Sequence, residues 1–158
     1  LGVNYEAVNQ PRQLLRPIDI LLVEDNPGDA DLTRESLAES PVPNRLHVVA
    51  DGVEALAFLN KDGPYGAAPT PQLILLDLNL PRKDGREVLR ELKTSARFRP
   101  IPVLVFSSSE LAEDIEQVYA LGANAYVTKP LELAHFERVM ASIASFWFGV
   151  ARLPSPKG

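Results

Sequence analysis

Leu73-Ile74-Leu75-Leu76 is apolar at every position. Successive side chains of a strand point to opposite faces, so a strand buried on one face alternates apolar with polar, and one that does not alternate is covered on both. Such coverage marks a parallel sheet with helices packed on each side. Four more segments read as strands: Ile18 to Val23, Arg45 to Ala50, Pro102 to Phe106 and Ala125 to Thr128. Helical stretches separate them. Asn26 is a natural N-cap for a helix entered at Pro27, with Ala30, Thr33 and Leu37 at helical spacing until Ser40-Pro41 stops it. A second helix follows Asp51-Gly52, and further helices are expected over Gly85 to Ser95, Glu110 to Leu121 with Ser109 as N-cap, and Leu133 to Trp147. Five strands alternating with five helices specify an α/β fold, a doubly wound sheet whose right-handed crossovers put helices on both faces.

At 158 residues the chain is the size of one domain. Residues 1–16 show no sustained period and are expected to form an N-terminal arm, 17–149 the folded domain and 150–158 a flexible tail; a separate output domain does not fit. The net charge of -5 argues against nucleic-acid binding, which needs clustered Lys and Arg to neutralise phosphates. With no cysteine and two distant histidines, disulfides, zinc thiolate sites and cysteine nucleophiles are excluded, and a histidine metal site is disfavoured. No apolar run reaches the roughly 18 residues of a membrane span and no secretion signal is visible, so no membrane partner and a cytoplasmic location are expected.

The strand ends carry the chemistry. The first runs into Glu24-Asp25, the third into Asp77, the fourth into Ser107-Ser108-Ser109 and the fifth into Lys129-Pro130. In open parallel sheets this carboxyl edge is where sites assemble. Three carboxylates converging there raise one another's pKa unless a cation compensates, and a divalent hard cation such as Mg2+ is held by one or two carboxylates, carbonyls and water. Asn79 is the simplest carbonyl donor. A metal, a hydroxyl (Ser107) and an ammonium (Lys129) around one carboxylate are what a phosphoryl group on Asp77 would need. Each residue also has a plain reading alone: acids that cap helices, a surface lysine before a proline, a polar strand end.

In order and spacing, Glu24-Asp25, Asp77, Ser107 and Lys129-Pro130 resemble the receiver domains of two-component response regulators, over about Ile18 to Trp147. The stretches Val23 to Ala30, Leu76 to Gly85 and Tyr119 to Tyr126 resemble most the stand-alone regulators that partner phytochrome-type histidine kinases. The resemblance implies a flavodoxin-like, CheY-like sheet of strand order 2-1-3-4-5 and a phosphorelay protein that is a phosphoacceptor, not an enzyme on outside substrates. Asp77 would take a phosphoryl group from a sensor histidine kinase, a bacterial phytochrome on the closer likeness. Asp25, Asp77 and the Asn79 carbonyl would hold Mg2+, with Glu24 reaching it through water. Lys129 would pair with the phosphate, Ser107 would swing toward it and Tyr126 would follow as an aromatic switch, altering the face of the fourth helix, fifth strand and fifth helix for a downstream protein. Tyr126 also reads as an ordinary half-buried strand aromatic. The family commonly has Thr where Ser107 stands, and the resemblance makes Lys129-Pro130 a cis candidate.

Two other functions fit parts of the pattern. A magnesium-dependent aspartyl-phosphate hydrolase usually has an acid two residues after its nucleophile, where this chain has Asn79. A pseudo-receiver would keep the fold as a scaffold without phosphorylation. In the last helix Leu133, Phe136, Met140, Ile143 and Trp147 form a stripe expected to face the sheet. Phe146 and Phe148 fall off it and are candidates for a homodimer interface, or fold back on their own domain.

Overall fold

The structure is a computed structural model that describes residues 16–155. Apart from Arg16, the expected arm lies outside the described residues, as do the last three positions of the expected tail. The elements are β1 (Ile18–Val23), α1 (Pro27–Ala38), β2 (Asn44–Val49), α2 (Gly52–Asn60), β3 (Leu73–Leu76), α3 (Gly85–Thr94), β4 (Val103–Ser107), α4 (Ala112–Ala120), β5 (Ala125–Thr128) and α5 (Leu133–Ala144). All strand pairings are parallel and the order is β2-β1-β3-β4-β5, as expected.

The pleat divides the core in two. Leu21, Val23, Ile74, Leu76, Val103 and Val105 pack with Phe58, Leu89 and Val118 from α2, α3 and α4. Ile20, Leu22, Leu73, Leu75, Leu104 and Phe106 pack on the other face with Leu37 of α1 and Phe136 and Met140 of α5. Every side chain of β3 is buried, each contributing about 1.5–3 kcal/mol of transfer free energy. Beyond this apolar floor, the residues that follow β1 and β3 bring polar groups to the carboxyl edge. Local signals position the helices that ring that edge: Asn26 and Asp51 each accept a backbone N–H as N-caps, of Asp29 and Glu54. Gly85 is required at the start of α3, where a β-carbon would stand 2.2 Å from the Asp77 carbonyl oxygen.

Several local expectations change. α4 starts at Ala112 without a side-chain cap, because the Ser109 hydroxyl is engaged by Asp114 instead. None of the described peptide bonds is cis, so Lys129-Pro130 is trans, the isomer favoured by about 0.5–1 kcal/mol in X-Pro bonds. α5 passes at Ser145–Val150 into a π-helical turn, in which Ala151 N–H donates to the Phe146 carbonyl at 2.7 Å. The wider turn advances the inward position by one residue. Phe148 therefore enters the core, Trp147 packs half-buried against it, and of the two interface candidates only Phe146 is exposed. At the other end of the stripe Leu133 is exposed too. Leu153, in the expected tail, packs against the α1/α5 core.

Candidate functional site

β1 and β3 are neighbours, with Val23 opposite Leu76, so Glu24, Asp25 and Asp77 leave the sheet side by side. One carboxylate oxygen from each lies within 4.8 Å of the other two. Glu24 and Asp77 are buried and Asp25 is exposed. Backbone amides orient the buried pair: Leu78 N–H donates to Asp77 Oδ1 at 2.7 Å, and Asn26 N–H donates to Glu24 Oε1 at 3.0 Å. Asn79 is exposed in the loop after Asp77.

Lys129 follows β5 and is tied to β4 by its N–H donating to the Ser107 carbonyl at 2.8 Å. Its side chain reaches back across β4, with Nζ 5.9 Å from the centre of the Phe106 ring. There the ammonium donates to Glu24 Oε2, to Asp77 Oδ2 at 3.1 Å and to Asp29 Oδ2 at 3.1 Å. Burial pushes the Glu24 carboxyl up to about 7, against the hydrogen bond and charge of Lys129, while the Asp77 charge adds to the rise. Burial works against the Lys129 ammonium too, but the bond to Glu24 and the charges of Asp77 and Glu24 outweigh it and hold Lys129 above the ordinary lysine value. The lysine stays charged while the acids remain crowded, and this all-oxygen donor set suits a hard divalent cation.

Ser107 is fully buried, and its Oγ has no hydrogen-bond partner among the described residues. Orphaned buried hydroxyls are uncommon, and this one has a proton to donate at the carboxyl edge of the sheet. Tyr126 is half-buried, with its hydroxyl donating to the Ser109 carbonyl at 2.6 Å. Ser109 also donates through Oγ to Asp114, which accepts from Arg86 Nη2 at 2.7 Å, so the loop after β4 is tied to both β5 and α3.

Of the sequence-derived residues the structure brings Glu24, Asp25, Asp77 and Lys129 together, with one addition, Asp29. Its place in the first turn of α1 reads from sequence as an acid complementing the helix dipole, and only the approach of α1 to Lys129 reveals the contact.

The profile of the response regulator receiver domain family matches residues 20–141. Response regulator Rcp1 of Synechocystis sp. is 43% identical over 139 residues, covering 88% of this chain and 95% of that protein. The crystal structure of the phosphorylated cyanobacterial phytochrome response regulator RcpA matches with a TM-score of 0.86 at 46% identity, over 89% of this chain and all of that one. The Mn2+-bound form of Rcp1 matches with a TM-score of 0.85 at 43% identity, over 88% of this chain and all of that one.

Proposed function

The chain belongs to the response regulator receiver domain family, and we propose that it is a single-domain regulator that accepts a phosphoryl group on Asp77 from a sensor histidine kinase, a bacterial phytochrome by its likeness to RcpA and Rcp1. The observation that carries the reading is Asp77 itself: a buried carboxylate 3.1 Å from a buried ammonium, with two more carboxylates beside it and, at the neighbouring strand end, a hydroxyl that has no partner among the described residues. A carboxylate oxygen of Asp77 forms the new O–P bond as the P–N bond to the donor histidine breaks; the electron pair stays with the imidazole, which takes a proton from solvent. Lys129 and the Ser107 hydroxyl then meet phosphoryl oxygens. Asp25, Asp77 and the Asn79 carbonyl would hold Mg2+, with Glu24 reaching it through water; the bound ion supplies charge neutralisation.

Signalling follows from differential contacts. A phosphoryl oxygen that gives the Ser107 hydroxyl an acceptor draws the β4 end inward, and the Tyr126 bond to Ser109 links that movement to β5 and the loop before α4. The α4/β5/α5 face is then the readout for a downstream protein. A second copy is the other occupant that suits this face: exposed Phe146 borders a groove of about 670 Å3 that Val127, Val139 and Trp147 also line. The chain acts as a phosphoacceptor in the cytoplasm on this reading. Among the described residues no helix is long and apolar enough to cross a membrane.

Incubation with Mg2+ and acetyl phosphate should add one phosphoryl group by intact mass, and Asp77→Asn should abolish it. Light scattering on the same samples should give a dimer mass. Absence of uptake by the wild-type protein would leave a scaffold, and steady turnover of the donor without a stable adduct would favour a hydrolase.

A further inference from the structure

An ammonium has three protons to donate, and those of Lys129 are all engaged: by Glu24, by Asp77 and by Asp29. If Asp77 is the phosphoacceptor, as proposed above, the arriving phosphoryl group brings new anionic oxygens to a lysine with no proton free. Asp77 loses its charge, and with it most of its hold on the lysine, once it carries the phosphoryl group. A phosphoryl group that takes a second ammonium proton must displace one of the other two partners, and these are unequal. Glu24 has only 2% of its side chain exposed and already uses its other oxygen to receive Asn26 N–H, so releasing the lysine would strand a buried anion. Asp29 has 30% of its side chain exposed, and water can replace the lysine there.

We propose that Asp29 is a positioning residue for phosphoryl transfer: it holds the third proton of Lys129 while Asp77 is free and yields it when the phosphoryl group arrives. Its backbone suits the role. Asp29 N–H is fixed by the Asn26 cap at 3.0 Å and its carbonyl accepts the Thr33 hydroxyl at 2.8 Å, so the carboxylate alone is free to exchange. Asp29 acts only through Lys129, and its charge opposes the incoming phosphoryl dianion. Phosphorylation is thus restrained by a competitor whose strength depends on ionic screening.

Asp29→Asn keeps the shape and removes the competing charge. In the full chain with Mg2+ and acetyl phosphate, the second-order rate constant for uptake should rise about threefold in low salt, the scale of a partly exposed ion pair, and the gain should shrink at high salt. Asp29→Glu, which retains the charge, should return the rate toward wild type. Mg2+ affinity measured by calorimetry should change less than twofold in Asp29→Asn. An unchanged or slower rate in Asp29→Asn, or Asp29→Glu matching Asp29→Asn, overturns the assignment while leaving Asp77 as acceptor. A large loss of Mg2+ affinity also overturns it, making Asp29 part of the metal site. If the wild-type chain takes up no phosphoryl group, the reading of Asp77 falls and this one with it.

Discussion

Both ends of β1 carry a buried acid, and they are solved differently. At its start Asp19 accepts a two-pronged bond from Arg45, at 2.9 and 3.0 Å, and a contact from His47 Nε2 at 2.9 Å. Register alone brings them together, because Asp19 lies opposite Arg45 and Leu21 opposite His47 on β2. One carboxylate meets one permanent cation, and the cluster is complete within the chain. At the other end Glu24, Asp25, Asp77 and Asp29 surround a single lysine. Among the described residues, four acids against one ammonium leave an excess of negative charge, which a cation from outside would balance. The completed cluster belongs to folding and the uncompleted one to function, and three measurements can break that distinction.

The largest effect concerns the uncompleted end. Glu24 has its carboxyl pushed up to about 7 by burial, whereas in the unfolded chain it titrates near 4.5. Below pH 4.5 both states hold the proton. Between the two values the unfolded state releases it and the folded state keeps it, so stability falls as pH rises through this window. Metal-free protein should therefore be less stable at pH 8 than at pH 5 by up to about 3 kcal/mol from this group. Urea unfolding at the two pH values should read the difference, Glu24→Gln should flatten it, and Mg2+ should stabilise far more at pH 8 than at pH 5. A metal-free protein with equal stability at both values would mean that the crowding is already relieved within the chain.

The completed end predicts a smaller loss with no functional consequence. Asp19→Asn forfeits charge-assisted bonds to Arg45, whose side chain is more than half exposed and returns to water, so the loss should be about 2 kcal/mol in a urea midpoint. Phosphoryl uptake by intact mass should be unchanged. A drop in uptake would show that the two ends of the strand are coupled.

The uneven legibility of the two ends in sequence has a physical cause. Glu24, Asp25, Asp77, Ser107 and Lys129 were legible because each immediately follows or closes a strand, and parallel topology carries every strand's carboxyl end to one edge. The caps Asn26 and Asp51 were legible because capping is local. Asp19 was not, since its partners depend on the β1-β2 register, and neither was Asp29, whose role depends on how α1 leans over the site. The π turn had no local signal: Ser145-Phe146-Trp147-Phe148 suits an α-helix as well, and the entry of Phe148 into the core beside a half-buried Trp147 is decided by packing. Ser109 looked like a helix cap until Asp114 and Tyr126 engaged its hydroxyl and its carbonyl.

The smallest effect runs in the unusual direction and tests the uncompleted end atom by atom. A buried hydroxyl without a partner costs about 1–3 kcal/mol of lost hydration, and Ser107 is fully enclosed with its Oγ unpaired among the described residues. Ser107→Ala removes the orphaned oxygen and leaves a void of about one atom, whose lost packing offsets part of the gain. The variant should therefore be more stable than wild type by about 1 kcal/mol, read as a higher urea midpoint with an unchanged denaturant slope. It should still accept a phosphoryl group on Asp77 by intact mass, more slowly, because Lys129 remains. A less stable Ser107→Ala protein would mean that the hydroxyl already has an acceptor in the resting state, and would count against Ser107 as the group that a phosphoryl oxygen engages.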